Sequence, residues 1–318
     1  MSLLTLALLA APLAVEAQQV RVYRVGVVHQ GGAYLRAVDG LRDGLKELGF
    51  EEGKQVAFDV RDAKGDLKAV EAAAKSLEAA KVDLIVSVAS STTLAVKRAT
   101  QSVRIVFYAG TDPVKLGLVE SFGQPGGRLT GVHGQYTDLT AKRLELLKEM
   151  APGIRRALVF YNPANAAALL SLKNAQDAAR QLKLTLVERP VASVEELRAA
   201  LRALRPGEVD AIAYLADATL VSKEKEIIDT AIARKLPMML GGIDSVAIGA
   251  LAGYGESYRT IGRHLAKYVQ RVLLGGAPGD LPVEQLDRYH FVINLKTAKA
   301  IGLTIPRSVL ARADELIE

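Results

Sequence analysis

Short β-rich runs alternate with helical patterns from Val20 onward, and this alternation constrains the fold more than any other feature of the chain. The apolar runs Arg21–Val28 and Val82–Val88 predict buried strands. The segment Ala33–Leu48 carries apolar residues at helical spacing and stops at Gly49, as an amphipathic helix does. Strands that alternate with helices of this length form right-handed βαβ units. The sequence therefore predicts an α/β fold with mostly parallel sheets.

The alternation occurs twice, which predicts two similar lobes. The first series of strands ends near residue 108, and the second runs from Arg156 to Leu240. Three segments rich in Gly and Pro, 124–134, 249–255 and 274–288, interrupt or follow the two series, and we interpret them as crossings between lobes. We expect two Rossmann-like (flavodoxin-like) lobes joined by a three-strand hinge, in which glycines absorb backbone rotation.

These patterns give expected limits for each part of the chain. Residues 1–19 form a signal peptide, and residues 131–254 form lobe two, to which a strand at 286–294 can be added. Residues 20–130, 255–285 and the C-terminal tail form lobe one.

The N-terminus has the pattern of a secretory signal peptide. Leu3–Val15 is an apolar run that ends before Ala17, and its 13 residues are too few to span a bilayer as a helix. No Lys or Arg precedes the run, so the true start codon is left open, and the alternative is an apolar N-terminal helix of the fold. We expect a periplasmic or extracellular protein.

Composition and missing motifs exclude several kinds of site. The chain has no Cys, which excludes thiolate metal sites, disulfides, a Cys nucleophile and a lipoprotein anchor. Its four His residues are isolated, and neither GxGxxG nor a Walker sequence occurs, so we expect no metal and no cofactor. The net charge is +6, but basic and acidic residues alternate, as in Arg42–Lys46, and Trp is absent. We therefore expect no nucleic-acid partner.

Ligands of open α/β sheets bind at the carboxyl ends of strands, which selects candidate residues in the first half. His29 and Gln30 follow the first strand; His29 is either a general base or an ordinary pocket or loop histidine. Ser90, Ser91 and Thr92 open a helix, where they either cap it or bind a carboxylate or other anion. Gly110, Thr111 and Asp112 follow the fourth strand, and Asp112 alternatively starts a turn.

The second half supplies the remaining candidates. Tyr161 and Asn162 follow its first strand, and Asn162 alternatively begins a helix-start turn. Asp217 is the first candidate for an acidic partner of a ligand ammonium and Asp244 the second, with helix capping as the alternative for both. Tyr254 either closes over a ligand or packs in the hinge. No nucleophile–base pair accompanies these residues, so the set predicts recognition of a small molecule and no catalytic residues.

Three segments resemble a known family. They are Phe107–Gly131, Val159–Asn165 and Val292–Pro306, and they are similar to the tryptophan/tyrosine-type ABC transporter substrate-binding proteins. The resemblance extends over essentially the whole mature chain. It implies a periplasmic-binding-protein type I fold and a solute delivered to a membrane permease that a separate ATPase powers.

The resemblance also implies a ligand class. Ligands of relatives are amino acids, aromatic ones among them, which places a carboxylate near Ser90, Ser91 and Thr92 and an ammonium near Asp217. Relatives commonly carry Thr-Asp-Asn where this chain has Ala216-Asp217-Ala218, so the solute itself is left open. We expect a monomeric solute-binding protein of an ABC importer. The alternative is a periplasmic ligand-sensing subunit for a membrane signalling receptor.

Overall fold

A computed structural model describes residues 21–318, which form two lobes, each built on one β-sheet. The signal peptide predicted for residues 1–19 lies outside the described residues. The strands are β1 Tyr23–His29, β2 Val56–Asp62, β3 Leu84–Val88, β4 Ile105–Ala109, β5 Leu129–His133, β6 Arg156–Tyr161, β7 Thr185–Pro190, β8 Ala211–Ala213, β9 Met238–Leu240, β10 Ala252–Gly255, β11 Glu284–Gln285, β12 His290–Asn294 and β13 Glu315–Ile317. The helices are α1 Leu35–Glu47, α2 Leu67–Ala79, α3 Ser90–Ala99, α4 Thr140–Met150, α5 Ala166–Gln181, α6 Val194–Ala203, α7 Ala218–Ser222, α8 Glu224–Ala233, α9 Tyr258–Leu273, α10 Leu295–Ile301 and α11 Arg307–Leu310.

The first lobe is built on a fully parallel sheet of six strands in the order β11-β5-β4-β3-β1-β2. Successive residues of its strands point to opposite faces. Val86 belongs to the core that includes α1 and α9, whereas its neighbour Ile85 belongs to the core that includes α2 and α3. Helices on both faces explain why the strands are apolar throughout, as a buried parallel sheet requires.

The second lobe is a sheet of seven strands in the order β13-β12-β10-β9-β8-β6-β7, parallel except where β10 meets β12. Val159 packs with α4, α5, α10 and α11 on one face, and Phe160 packs with α6, α7 and α8 on the other. The two sheets confirm the predicted α/β class with parallel sheets.

The chain passes between the two sheets three times, through residues 134–139, 256–257 and 286–289. We call these three stretches the hinge segments. The expectation that the C-terminal tail returns to lobe one was wrong, because β12 and β13 pair in the second sheet. β12 pairs antiparallel with β10 and parallel with β13, so the tail extends the second sheet.

Two segments that appeared to be turns contain strands. Gly131 lies within β5, and a Cβ at this position would stand 2.0 Å from the carbonyl oxygen of Phe107 on the next strand. Gly255 lies within β10, and a Cβ there would stand 1.9 Å from the carbonyl oxygen of Gly241. In both strands the glycine permits close approach of two backbones, and no turn is formed.

The helix predicted over Leu220–Lys235 is two helices. Lys223 leaves the helical region, with φ −125° and ψ 20°, and separates α7 from α8. The break lets Glu224 turn inward, where its carboxylate accepts a hydrogen bond from the hydroxyl of Ser245. No helix within residues 21–318 has the length and apolar character that crossing a membrane requires.

Candidate functional site

A cavity of about 30 Å³ lies between the two lobes. Lobe one lines it with residues that follow β3 and β4, and lobe two lines it with the starts of α5 and α7. The lining residues are Tyr34, Ala89, Ser90, Ser91, Tyr108, Gly110, Thr111, Tyr136, Asn165, Ala167, Ala216, Asp217, Ala218, Val221 and Tyr258. This is the position at the carboxyl ends of the strands where α/β sheets bind ligands.

Direct contacts join the two lobes beside the cavity. The hydroxyl of Thr219 in lobe two donates a hydrogen bond of 3.3 Å to the carbonyl oxygen of Gly65 in lobe one. Nearby, the backbone of Gly32 packs against Val221 so closely that a Cβ on Gly32 would lie 2.1 Å from the carbonyl oxygen of Val221. These contacts hold the lobes together beside the cavity.

Four tyrosine rings form much of the cavity wall: Tyr34, Tyr108, Tyr136 and Tyr258. Each is at most 7% exposed, and Tyr258 meets Tyr34 edge-on at a centroid distance of 5.0 Å. Burial raises the pKa of all four phenols, so they remain neutral hydrogen-bonding groups. Such a wall is suited to an apolar or cationic part of a ligand.

These tyrosines were not predicted from the sequence, because three of them do not follow a strand. Tyr34 belongs to a short 3-10 turn, Tyr136 to a hinge segment and Tyr258 to the first turn of α9. Tyr108 was predictable, since it stands near the end of β4, two residues before the predicted Gly110.

The N-terminus of α3 presents a second feature of the cavity. Ser90 and Ser91 line the cavity, but neither caps the helix; the N-cap is Ala89, which has no side-chain acceptor. Ala89 has φ 99° and ψ 149°, a region that non-glycine residues rarely occupy. The first N–H groups of α3 are therefore without a side-chain cap, and a helix N-terminus in this state favours an anion.

Gln30 and Thr92 support this helix start from behind the cavity wall. The amide Nε2 of Gln30 donates to the hydroxyl of Thr92 at 2.9 Å and to that of Ser91 at 3.2 Å. Both Gln30 and Thr92 are fully buried and lie outside the set of lining residues. Their contribution is to fix the position of Ser91.

Asp217 is both a helix cap and a cavity residue. Its Oδ1 accepts from the N–H of Thr219 and its Oδ2 from the N–H of Asn162, each at 2.8 Å. The side chain is 2% exposed; burial raises the pKa of Asp217, and the backbone N–H donors oppose that rise. Asp217 is therefore a buried carboxylate at the cavity wall whose orientation is fixed by backbone donors.

Asn162 thus acts through its backbone, and its side chain accepts from the N–H of Ala164 at 2.9 Å. Asn165 lines the cavity in its place and caps α5 by accepting from the N–H of Ala167. The Asn-Pro-Ala-Asn spacing explains why Asn165, and not Asn162, lines the cavity, because the second Asn stands at the helix start.

Thr111 and Gly110 line the cavity as expected, and the buried hydroxyl of Thr111 has no hydrogen-bond partner among the described residues. Asp112, the third member of that group, lies outside. Its carboxylate accepts from the N–H of Val114 and of Lys115, which is the turn-starting alternative.

Four other candidates also lie outside the cavity. His29 is buried beside Gly31, whose N–H donates to its Nδ1, and burial lowers the pKa of this histidine. Asp244 accepts from the hydroxyl of Ser257 and the N–H of Tyr258, and so holds the start of α9. Tyr161 packs on the core of lobe two, and Tyr254 stands 6.3 Å from the rings of Tyr289 and Phe291.

Two buried glutamates and one arginine surround the cavity. Desolvation raises the pKa of Glu224 and of Glu256 to about 7 each. Glu256 accepts a hydrogen bond of 3.1 Å from the hydroxyl of Tyr108. The guanidinium of Arg143 lies 4.1 Å from the ring centre of Tyr136 and donates to the carbonyl oxygens of Tyr136 and Tyr254. These groups were not predicted, because Glu224 and Arg143 do not follow a strand, and Glu256 follows β10, which was not predicted as a strand.

This arrangement is suited to recognition of a small molecule that has charged and apolar parts. The uncapped start of α3 favours an anion, Asp217 favours a cation, and the tyrosines supply apolar faces. Within residues 21–318, no group of His, Cys, Asp and Glu side chains is arranged to hold a metal ion.

Comparisons with known proteins agree with this reading of the site. The family model described as ABC transporter substrate binding protein matches residues 24–317. A protein named tyrosine-binding protein, from Clostridioides difficile (strain R20291), is 29% identical over 268 residues, which are 84% of this chain and 77% of that protein.

Two crystal structures are similar over 93% of this chain and 99% of their own. One is a conserved domain protein from Vibrio cholerae, with a TM-score of 0.84 and 32% identity. The other is the ABC domain in complex with L-Trp from Streptococcus pneumonia, with a TM-score of 0.82 and 27% identity. The fold is that of the type I periplasmic binding proteins.

Proposed function

The chain belongs to the ABC transporter substrate-binding protein family, and we propose that it is the extracytoplasmic receptor of an importer. In this role it captures a small solute, an amino acid or a related small carboxylate, by closure of its two lobes. It delivers the solute to membrane permease subunits that a separate ATPase powers. The chain is a solute-binding protein and not an enzyme.

One observation carries the ligand class. The uncapped N-terminus of α3, in lobe one, and the carboxylate of Asp217, in lobe two, line the same cavity. An α-amino acid carries an anion and a cation on one carbon atom. Such a ligand would satisfy both groups at once and hold the lobes together, so its binding free energy would favour the closed state.

The relatives support an amino acid ligand. One is named tyrosine-binding protein and another is described in complex with L-Trp. Here, however, methyl groups of Ala216 and Ala218 flank the acid, and tyrosines already occupy much of the wall. These apolar faces support a solute that has an apolar part.

The proposal is tested by identifying what the protein binds. Protein comprising residues 20–318 is purified natively, and mass spectrometry of the denatured sample identifies any bound solute. The same protein, unfolded and refolded to remove solute, is then screened for thermal shift with amino acids and small carboxylates. A ligand at 100 times its Kd stabilises by about 2.7 kcal/mol.

Matched analogues test which charged groups of the ligand the protein recognises. For any amino acid that shifts the melting temperature, the N-acetyl and amide derivatives each lack one of the two charges. We expect both derivatives to bind at least tenfold more weakly. Absence of any shift across the panel, together with no co-purified solute, would contradict the proposal.

A further inference from the structure

Glu256 lies where the three hinge segments come together. It belongs to the segment 256–257, which leads into α9. Its carboxylate lies against the segment 134–139, because a Cβ on Gly134 would stand 2.8 Å from its Oε1 and 2.9 Å from its Oε2. Tyr289, in the segment 286–289, is near enough that burial and, after it, the charge of Glu256 raise the pKa of its phenol to about 12. The charge of Glu256 therefore acts on each of the three hinge segments.

Groups from both lobes flank the same carboxylate. From lobe one, the hydroxyl of Tyr108 donates a hydrogen bond of 3.1 Å to Oε2. From lobe two, the guanidinium of Arg143, on α4, acts on Glu256 by its charge, yet no ion pair between the two is found among residues 21–318. Oε1 of Glu256 and Nη2 of Arg143 are both buried without a hydrogen-bond partner in the described part of the chain. An anion and a cation thus each have an unpaired atom while the lobes are in contact.

The burial of Glu256 makes its ionised form costly. Only 7% of the residue is exposed, and a missing hydrogen-bond donor costs a carboxylate more than it costs a neutral carboxyl group. Desolvation raises the pKa of Glu256 to about 7, against the opposing effects of the Tyr108 hydroxyl and the Arg143 charge. At neutral pH the group is therefore divided between its protonated and ionised forms.

Other ionisable side chains stand near Glu256 on the elements packed at the hinge. Seven of them line a cavity there together with Glu256 and are at least partly exposed: His264, Glu284, Asp287, Arg288, His290, Asp314 and Glu315. Another, His133, is buried beside Gly134, and burial lowers the pKa of its imidazole. Because water and salt screen the exposed charges, the burial of Glu256 dominates its own titration.

We propose that Glu256 is a positioning residue for lobe closure: its protonated form holds the lobes together, and its ionised form favours their separation. Oε1 lies against a second hinge segment and Oε2 against lobe one, so rotation at the hinge changes the surroundings of both oxygens. With the lobes apart, water or Nη2 of Arg143 can reach the ionised oxygen that now has no donor. The proposal rests on the lobe motion of the proposed function.

The direction of the pH response follows from this assignment. With the lobes in contact the pKa of Glu256 is about 7, and in the separated state, where the group is hydrated, we expect its ordinary value of 4.5. Between these values the state with lobes in contact keeps a proton that the separated state has lost. The preference for contact is therefore complete below 4.5, declines through the window and levels off above about 7, with an upper limit of about 300-fold.

Energy transfer between two dyes measures the lobe positions directly. The chain has no Cys, so Lys75→Cys on α2 of lobe one and Lys173→Cys on α5 of lobe two give two exposed attachment sites. Single molecules of residues 20–318, refolded to remove bound solute, are observed from pH 5 to pH 9. We expect the ratio of molecules with lobes in contact to molecules with separated lobes to fall at least tenfold. A ratio that does not change with pH would overturn the proposal.

Variants assign the response to one carboxylate. Glu256→Gln is neutral at every pH and nearly the same shape, so the fall in the ratio should shrink to less than twofold. Glu284→Gln removes an exposed carboxylate from the same region and should keep the response of the parent. A fall as large as the parent's in Glu256→Gln, or a lost response in Glu284→Gln, would overturn the assignment.

Tyr108→Phe provides a measurement that a purely structural role would not change. It removes the donor to Oε2, so the pKa of Glu256 should rise further, and the pH at which the ratio levels off should increase by about one unit. An unchanged pH would overturn the proposal. No solute is present in these measurements, so failure of the amino acid screen would leave them intact, and an absent pH response would leave the amino acid proposal intact.

Discussion

The backbone of Gly32 lies directly against the carbonyl group of Val221, and this contact joins the two lobes at the edge of the cavity between them. A Cβ on Gly32 would stand 2.1 Å from the carbonyl oxygen of Val221 and 2.9 Å from the Cα of Ser222. Both obstructing atoms belong to the backbone, so neither can move aside alone. The closed state of the protein therefore requires glycine at position 32, whereas a state with separated lobes does not.

We expect Gly32→Ala to fold but to close poorly, and so to bind its solute at least tenfold more weakly. Gly49→Ala is the matched control, because Gly32 and Gly49 both have positive φ, 60° and 84°, but a Cβ on Gly49 would meet nothing within 4 Å. Both variants should lose about 1 kcal/mol of stability from the left-handed backbone. Calorimetric affinity and thermal melting measure the two effects. Equal affinities for the two variants would show that closure does not need this contact.

Asp217→Ala should weaken an amino acid ligand by about 2 kcal/mol or more, since it leaves a desolvated ammonium without its partner. Asp66→Ala is the control, because Asp66 also caps a helix, α2, with its carboxylate 2.8 Å from the N–H of Lys68. Each variant loses a helix cap at about 1 kcal/mol, but only Asp217 lines the cavity. Unchanged affinity in Asp217→Ala would exclude it as the ammonium partner.

The free energy of unfolding should fall as pH rises from about 4.5 to about 7, through the contribution of Glu224. Desolvation raises the pKa of Glu224 to about 7 in the folded protein, against 4.5 for the ordinary group. Across that window the folded state keeps a proton that the unfolded state has lost. The contribution is therefore complete below 4.5, declines through the window and is lost above about 7. Its upper limit is about 3 kcal/mol.

Urea denaturation at several pH values measures this contribution as the difference between the parent and Glu224→Gln. Glu226→Gln is the control on the same helix, since Glu226 pairs with Arg198 and its pKa is lowered. The parent should lose stability relative to Glu224→Gln between pH 5 and 8. Relative to Glu226→Gln it should not. A constant difference between the parent and Glu224→Gln would contradict the assigned pKa.

The sequence predicted most of the helices and strands that have a simple periodicity. The strand predicted over Val82–Val88 is β3, and the helix predicted to open at Ser90 is α3. The missed strands β5 and β10 contain Gly131, Gly253 and Gly255, which in sequence look like turn residues. Their glycines are selected by backbone contacts with neighbouring strands, and such contacts are not visible before the strands are paired.

The candidate site could be predicted only where it follows strand ends. Five candidates line the cavity between the lobes: Ser90, Ser91, Gly110, Thr111 and Asp217. The tyrosine wall could not be found in this way, because Tyr34, Tyr136 and Tyr258 reach the cavity from a 3-10 turn, a hinge segment and a helix that returns from the other lobe. Their positions depend on how the lobes are joined, which strand order within one lobe does not determine.

Ala89→Gly should leave the stability unchanged or raise it, although glycine normally costs stability. Ala89 occupies φ 99° and ψ 149°, a conformation that costs a non-glycine residue about 1–3 kcal/mol. The free energy gained by removing that strain offsets two losses, the packing of the methyl group and the greater conformational entropy of the unfolded chain. Ala95→Gly, in the buried middle of α3, has no strain to relieve and should cost about 2 kcal/mol.

Urea denaturation of both variants measures the contrast, and ligand affinity shows what the strain is for. The backbone at Ala89 directs the uncapped start of α3 toward the cavity, so a freer backbone there should lower affinity for the ligand a few-fold. Because Ala95 lies away from the cavity, Ala95→Gly should not change affinity. Equal destabilisation by the two substitutions would show that Ala89 is not strained. A gain in stability accompanied by weaker binding would show that the protein retains a strained residue because it positions the anion-binding end of α3.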